Sequence, residues 1–301
     1  MSELSTVPEQ QPEFGKVVIF GVGLIGGSFA LALKSARAVG EVVGFGRRPA
    51  SLREALELGV IDRAGINPAH ELGDADLILV ATPVGQMPDV FAQIASYMGS
   101  ETVVTDGGST KADVASAARA AFGERLGQFV PAHPIAGAEH SGAAASRSDL
   151  YQGRKVVVTP LPENTDAALD RVKRAWALCG ADIYELTPEL HDRVFAAVSH
   201  LPHLLAFALV RDLAERSDAA LFFDFAASGF RDFTRIAASH PEMWRDICLA
   251  NRQALLAEIE AYQAQLNDLK AALARNDGDY LQQSFAVARA ARRAWGDKQA
   301  R

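Results

Sequence analysis

The chain contains few cysteines and no excess of positive charge. Cys179 and Cys248 are its only cysteines among 301 residues, and neither lies in a CxxC or a Cys/His cluster. A disulfide scaffold and structural zinc are therefore excluded, and a reducing cytoplasm is the expected compartment. Thirty Lys and Arg against 37 Asp and Glu give a formal net charge of −7. This balance leaves no excess of positive charge for a phosphate backbone, so we expect no nucleic-acid partner. We also expect no bound metal, because the His200/His203 pair lacks the glutamate of a zincin and has no cysteine near it.

Long apolar runs are also missing. The most apolar stretch, Phe195 to Val210, has 16 residues and contains Ser199, His200 and His203. We judge it too short and too polar to cross a bilayer, so no membrane partner is predicted. Residues 1–14 carry Glu and Pro without the apolar core of a signal peptide, and we expect a disordered leader there.

Two domains follow the leader. Over residues 15–187, short β-rich runs such as KVVIF, EVVGF, DLILVA, QFVPA and KVVVTP alternate with helical stretches. This alternation predicts an α/β, Rossmann-like domain with a mostly parallel sheet. Over residues 188–301 the β-rich runs stop, and helical periods continue to the last residue. We expect an all-α domain there that contributes to substrate binding and dimerisation.

A heptad-like seam occurs within the helical half. Its apolar residues advance in steps of four and three, at Leu255, Ile259, Tyr262, Leu266, Leu269 and Leu273. The seam is compatible with packing inside one bundle or with a subunit interface, and spacing does not separate the two. We favour a homodimer.

The first β-run leads directly into a glycine-rich turn. Its GxGxxG motif consists of Gly21, Val22, Gly23, Leu24, Ile25 and Gly26. In a strand–turn–helix context, the first glycine permits the tight turn, the second lets backbone approach a pyrophosphate, and the third allows close packing of helix on strand. A dinucleotide site is therefore predicted, the alternative being a glycine-rich turn without a ligand.

The residues after the second β-run bear on the choice of cofactor. An acidic residue there would bind the 2′-hydroxyl of the adenine ribose, but the sequence has Gly46, Arg47 and Arg48. Guanidinium groups can bind a 2′-phosphate through paired, charge-assisted hydrogen bonds. We predict that NADP is accepted and slightly favoured. Alternatively, both arginines are solvated and NAD is used.

Another β-run ends at Thr82 and Pro83. Ligands of open α/β sheets collect at the carboxyl ends of the strands. We therefore place these two residues near the nicotinamide, with an ordinary strand-ending turn as the alternative.

Four polar clusters supply a more specific signal than the glycine motif. They are DGGSTK at 106–111, HPIAGAEHSG at 133–142, SHLPH at 199–203 and GFRDFTR at 229–235. In this order after GVGLIGG, they resemble the prephenate/arogenate dehydrogenase family of tyrosine biosynthesis over about residues 16–295. The resemblance implies oxidative decarboxylation of a cyclohexadienyl alcohol, with a hydride leaving ring carbon C4 for the nicotinamide.

The same resemblance implies catalytic roles for two residues. His133 matches the family's catalytic histidine, and its imidazole can accept the hydroxyl proton near neutrality. Ser109 matches a serine that hydrogen-bonds this hydroxyl or the base, although a serine at such a turn is also a common helix N-cap.

Five further residues are implied to bind substrate. His203 corresponds to a residue that binds the substrate side chain, with Ser199 beside it on the same helical face, and Pro202 disrupts the preceding turn. Arg235 corresponds to an arginine that clamps a substrate carboxylate, and Asp232 could orient it. Glu139 matches a glutamate near the pocket mouth.

Several alternatives remain open at this point. The substrate could be prephenate, which we favour, or arogenate. Another Rossmann enzyme with a helical domain, such as a β-hydroxyacid dehydrogenase or an imine reductase, would share GxGxxG but is not expected to carry the four clusters. A dinucleotide-sensing dimer without catalytic activity would bind cofactor without turnover.

Overall fold

A computed structural model describes residues 11–138 and 140–299. Most of the predicted leader and the candidate residue Glu139 lie outside these ranges. By contacts between residues, the chain divides into two compact units, the first ending at Arg252 and the second beginning at Gln253.

Among the described residues of the first unit, nine strands form two sheets. They are β1 Phe14–Phe20, β2 Val39–Phe45, β3 Arg63–Ala64, β4 Leu77–Val80, β5 Val103–Asp106, β6 Phe129–Val130, β7 Ala132–Pro134, β8 Lys155–Val158 and β9 Asp182–Glu185. The first six form a parallel sheet in the order β3-β2-β1-β4-β5-β6. This order confirms the predicted Rossmann-like fold. In the smaller sheet, β8 pairs antiparallel with β7 and parallel with β9.

The central strands are buried on both faces, as parallel strands covered by helices must be. Along β1, Val17 and Ile19 belong to one apolar core, whereas Val18 and Phe20 belong to the core on the opposite face. This explains why KVVIF is a continuous apolar run rather than an alternating one.

Two features of the sheets differ from the sequence prediction. The two-residue strand β3 was not predicted, because it is too short to show a periodic pattern. The run QFVPA was predicted as one strand, but it is divided at Pro131 between β6 and β7, which belong to different sheets. Proline has no N–H to donate to a sheet ladder, so pairing is interrupted there.

Thirteen α-helices are described. They are α1 Leu24–Ser35, α2 Pro49–Glu57, α3 Pro68–Glu71, α4 Met87–Tyr97, α5 Ala112–Phe122, α6 Asp166–Leu178, α7 Pro188–Phe195, α8 Leu201–Ala214, α9 Ala219–Asp224, α10 Ser228–Thr234, α11 Pro241–Ala250, α12 Arg252–Ala274 and α13 Gly278–Gln299. The described part of 188–301 contains no strand, which confirms the all-α prediction.

The helices α7 and α8 are joined by a π-helical turn over Ala196–His200. The N–H of Leu201 donates to the carbonyl of Ala196, five residues earlier. The turn before Pro202 is therefore irregular, as predicted. Turns of this kind widen the helix locally and occur often at functional sites.

The sequence analysis judged this region too short to span a membrane, and that judgement is wrong by length. The continuous helix Pro188–Ala214 has 27 residues, and an 18-residue window within it has a mean hydropathy of 1.5. One such helix is weak evidence for a membrane span. Its polar residues His191 and Asp192 are buried in the protein, as are the apolar residues Ala196, Leu201 and Ala206, whereas Val194 and Val198 are exposed.

The second unit consists almost entirely of α12 and α13, joined at Asn276 with a positive φ of 53°. Of the predicted seam, Leu255 is buried and Leu266 and Leu273 are exposed. Within this single chain, the seam is therefore only partly covered.

Candidate active site

The glycine-rich turn leaves open space at the N-terminus of α1. Gly21 has φ +95°, and a Cβ there would lie 2.6 Å from the carbonyl oxygen of Ala81. A Cβ on Gly26 would lie 2.2 Å from the carbonyl oxygen of Gly21, whereas one on Gly23 would meet nothing within 4 Å. The turn thus needs its first and third glycines for packing, and the second borders empty space beside helix N–H groups. This geometry fits a dinucleotide pyrophosphate.

The three residues between these glycines contribute mainly backbone to such a site. The side chain of Val22 is buried in the core, and those of Leu24 and Ile25 pack against it. The loop after β5 is adjacent, since a Cβ on Gly107 would lie 3.0 Å from Ile25 and 3.8 Å from Pro134. The glycine turn and the segment that carries His133 therefore meet at the same edge of the sheet.

Thr82 lies directly beside this turn. Its backbone nitrogen is 2.9 Å from the position that a Cβ on Gly21 would occupy. Its hydroxyl is buried and has no hydrogen-bond partner among the described residues. A buried hydroxyl without a partner is costly, so Thr82 offers a ligand an unused donor and acceptor at this edge. Pro83 follows it and precedes a short 3₁₀ turn, Val84–Gln86.

Arg47 is held near the same edge, and Arg48 caps α2. In the amide orientation that hydrogen bonding favours, the Gln86 side-chain oxygen accepts from both terminal nitrogens of Arg47, at 3.1 and 3.2 Å. Both arginines are exposed. Arg47 therefore bridges from the end of β2 to the loop after β4.

The loop that carries Ser109 is fixed by a buried ion pair between Asp106 and Lys111, both of which are fully buried. Asp106 also accepts hydrogen bonds from the N–H of Gly108 (2.7 Å) and of Ala132 (3.1 Å). The Lys111 ammonium donates to the carbonyl oxygen of Ala132 at 2.8 Å. The pair thus ties this loop to the residue before His133.

His133 lies on β7 and contacts a second histidine. Its Nδ1 is 2.8 Å from Nε2 of His191, and Nδ1 of His191 is 2.8 Å from Oδ1 of Asp192. Asp192 also accepts the backbone N–H groups of Lys111 (2.8 Å) and Ala112 (2.9 Å). The ring of Phe195 packs against both histidines.

His203 and Ser199 lie on one face of the helix, as predicted. Nδ1 of His203 is 2.9 Å from the carbonyl oxygen of Ser199, and its ring stacks on Trp244 with centroids 3.6 Å apart. Burial and the nearby charge of Arg235 lower the pKa of His203. Arg235, from the segment after α10, is therefore close enough to act electrostatically on His203.

Two family models match the chain. A family model described as "Prephenate dehydrogenase, nucleotide-binding domain" matches residues 29–185, and one described as "Prephenate dehydrogenase, dimerization domain" matches residues 187–287. The chain belongs to the prephenate dehydrogenase family.

Individual relatives cover most of the chain. Prephenate dehydrogenase of Bacillus subtilis is 34% identical over 91% of this chain and 74% of that protein. Cyclohexadienyl dehydrogenase of Zymomonas mobilis is 33% identical over 93% and 95%, respectively. A crystal structure of prephenate dehydrogenase from Aquifex aeolicus in complex with hydroxyphenyl propionate and NAD+ is 36% identical, with a TM-score of 0.87 over 92% of this chain and 97% of that one.

For two of the predicted substrate residues, Asp232 and Glu139, the role stays a prediction. Asp232 is 76% exposed and lies 3.7 Å from Arg231, so its proposed orientation of Arg235 stays a prediction. Glu139 lies outside the described residues, and its role likewise stays a prediction. Ser109 is half-buried on the loop described above.

The sequence analysis gave no role to His191, Asp192, Asn251 or Trp244. The amide nitrogen of Asn251 donates to the carbonyl oxygen of Asp192 (2.7 Å) and lies 3.1 Å from Nδ1 of His200. The contacts of these four residues with the predicted site join segments far apart in the chain, so sequence spacing does not reveal them. A signal in the sequence was the pair His191-Asp192, which begins four residues after the N-cap Thr187.

Burial dominates the electrostatics of these histidines. It lowers the pKa of His133 well below 6.5, and the charges of His191, Lys111 and His200 lower it further. Burial also lowers the pKa of His200, to about 4. His133 is therefore held neutral at physiological pH, which is the state a proton acceptor needs.

Proposed function

We propose that this chain converts prephenate to hydroxyphenylpyruvate by oxidative decarboxylation, with His133 as the general base. The observation that carries the proposal is that a neutral histidine and the open glycine turn meet at one sheet edge. Prephenate rather than arogenate is favoured by the names of the relatives.

Bound NAD+ or NADP+ would supply the acceptor for the hydride that leaves C4 of the ring. His133 removes the proton of the C4 hydroxyl through Nε2, and Ser109 hydrogen-bonds the same hydroxyl or the base. The bond from C1 to its carboxylate breaks as CO2 departs and its electron pair enters the ring. The phenolate oxygen that results takes the proton back from His133. Formation of the aromatic ring makes the loss of CO2 favourable.

The helical half would hold the substrate in register. Arg235 offers a planar fork of N–H donors for a substrate carboxylate, and His203, braced by Trp244, binds the substrate side chain beside Ser199. We retain residues 15–187 as the nucleotide-binding domain and 188–301 as the substrate and dimerisation domain. Orienting the reacting carbon against the nicotinamide supplies much of the rate enhancement.

Initial rates with prephenate and with arogenate, each with NAD+ and NADP+, test this function directly. We expect turnover with prephenate, and a loss of kcat of about 10²- to 10⁴-fold in His133→Asn, the contribution typical of a general base. His70→Asn, an exposed histidine on α3, should leave kcat unchanged. Cofactor binding without turnover of either substrate would contradict the proposal and favour a sensing protein.

The pH dependence of kcat/KM should report the lowered pKa of His133. The base acts when unprotonated, so a lowered pKa keeps it active as the pH falls past 6.5, and activity is lost only below that value. We expect the acidic limb of log kcat/KM for prephenate to have an apparent pKa below 6.5. An acidic limb at or above this value would contradict the assignment.

We propose that NADP+ is accepted because Arg47 is held at the edge where the 2′-phosphate would lie. Arg47→Ala should lower the ratio of kcat/KM with NADP+ to kcat/KM with NAD+ by about 10- to 100-fold, as expected for a lost hydrogen bond to a charged group. Arg53→Ala, on the exposed face of α2, serves as the matched control. An unchanged ratio in Arg47→Ala would contradict a role of Arg47 in binding the 2′-phosphate.

We propose that the chain forms a homodimer through its helical half. The matched dimerization model and a large set of exposed apolar side chains support this: Val198, Leu221, Phe225, Leu249, Leu256, Leu266, Leu273, Phe285, Val287 and Trp295. Large apolar side chains exposed in such number on helices are typical of protein–protein interfaces. A cytoplasmic location is a separate proposal, supported by the two cysteines, Cys179 and Cys248, which are free thiols and suit a reducing compartment.

Light scattering should give a mass of about 64 kDa, twice the 32.2 kDa of one chain. Leu266→Asp should shift the mass toward the monomer, because a carboxylate in a seam is costly to bury. Leu58→Asp, on an exposed position of the nucleotide-binding domain, should not. A monomeric wild-type protein would contradict the dimer.

A further inference from the structure

A chain of three side chains ends at the proposed general base. Asp192, His191 and His133 are joined by two contacts of 2.8 Å, and the side chain of His191 is fully buried between the other two. Neither Asp192 nor His191 belongs to the polar clusters that carry the proton-transfer and substrate-binding roles. Their position behind the base calls for a physical account.

The charge of Asp192 determines which atoms donate and which accept along this chain of hydrogen bonds. Burial opposes ionisation of its carboxyl group, but hydrogen bonds from His191 and from the N–H groups of Ala112 and Lys111 lower its pKa overall. Backbone N–H groups can only donate, so both oxygens of Asp192 are acceptors. Asp192 is therefore a carboxylate, and it requires a proton on Nδ1 of His191.

The rest of the chain follows from this requirement. Burial lowers the pKa of His191, so its ring is neutral and carries one proton. With that proton on Nδ1, the Nε2 of His191 is an acceptor. Nδ1 of His133 must then carry the proton that the 2.8 Å contact shares, which leaves a lone pair on Nε2 of His133.

The other polar groups around the two histidines do not compete for this arrangement. The ammonium of Lys111 donates to Asp106 and to the carbonyl oxygen of Ala132. Nδ1 of His200 lies against the amide of Asn251, which can donate to it. Among the described residues, Nε2 of His133 has no protein hydrogen-bond partner, so its lone pair is free for a substrate hydroxyl.

We propose that Asp192 and His191 are positioning residues that fix His133 in the tautomer with its proton on Nδ1 and its accepting lone pair on Nε2. The proposal rests on the function assigned above. The hydrogen bond that one ring nitrogen of a histidine makes, often to a carboxylate, determines which nitrogen carries the proton. A catalytic histidine held in the wrong tautomer loses far more activity than one lost contact would cost.

The same chain accounts for the charge that forms during the reaction. When Nε2 of His133 takes the hydroxyl proton, the ring becomes an imidazolium, with its Nδ1–H still donated to His191. The His191 ring in turn remains hydrogen-bonded to the Asp192 carboxylate. The new positive charge is thus stabilised by a buried negative charge in a site where burial otherwise disfavours it.

Two substitutions of His191 separate its accepting role from the volume that it fills. The side-chain oxygen of Gln in His191→Gln can accept the proton of His133 Nδ1, whereas His191→Leu offers no acceptor. We expect His191→Gln to lose no more than about tenfold in kcat and His191→Leu to lose about 10- to 100-fold or more, the range for residues that orient a ligand or base from behind. KM for prephenate should change little in either variant, because neither is placed against the substrate.

NMR spectra of protein with ¹⁵N-labelled histidine report which ring nitrogen carries the proton, and this readout does not depend on turnover. The His133 signal is assigned by its loss in His133→Asn. We expect the proton on Nδ1 in the wild type and in His191→Gln, and a population with the proton on Nε2 in His191→Leu. His70→Gln should change neither the His133 signal nor kcat.

Three results would overturn the proposal: a wild-type His133 protonated on Nε2, an equal loss of kcat in the Gln and Leu variants, or wild-type kcat in His191→Leu. The wild-type spectrum decides the tautomer even if His191→Leu does not fold. A wild type with the expected tautomer but no turnover of prephenate would instead contradict the proposed function and leave the tautomer assignment standing.

Discussion

The site depends on the buried ion pair between Asp106 and Lys111. Burying each charge costs several kcal/mol, which only mutual attraction and additional hydrogen bonds can offset. Here the remaining bonds involve the N–H of Gly108 and both backbone groups of Ala132, next to His133. The backbone N–H of Lys111 donates to Asp192. One ion pair therefore fixes the strand that carries the base and the carboxylate that orients it. Removing either charge would leave the other unpaired, at a cost of about 3–5 kcal/mol.

Most of the nucleotide-binding fold could be predicted from the sequence, because its central strands are buried on both faces. A run such as KVVIF is apolar without interruption, and the glycines that follow are required by the close approach of Ala81 to Gly21. What escaped prediction was the pairing of short segments. Strand β3 has too few residues to show a period, and only tertiary structure shows that Pro131 separates two sheets.

The site was predictable where its residues lie in recognisable clusters and not where contacts join distant segments. His133 and Ser109 lie in polar clusters next to predicted β-rich runs, whereas His191 is 58 residues from its partner. The helix of His191 also buries the polar side chains of His191 and Asp192, while Val194 and Val198 are exposed. From sequence alone, a polar pair on a helix is expected to be exposed to solvent, so the contact of His191 with the base was not predicted.

Burial favours the neutral form of His133 before proton transfer and disfavours its protonated form afterwards. The Asp192 carboxylate offsets the second effect. Excluding water lowers the pKa of His133, which keeps the base neutral and ready to accept a proton but makes its protonated form costly. A carboxylate placed directly beside His133 would raise that pKa and weaken the first effect. With His191 between them, the negative charge is one ring away, so it fixes the tautomer and supports the imidazolium while the resting base stays neutral. Because His191 lies between Asp192 and His133, the buried site keeps His133 neutral before proton transfer and stabilises its imidazolium afterwards.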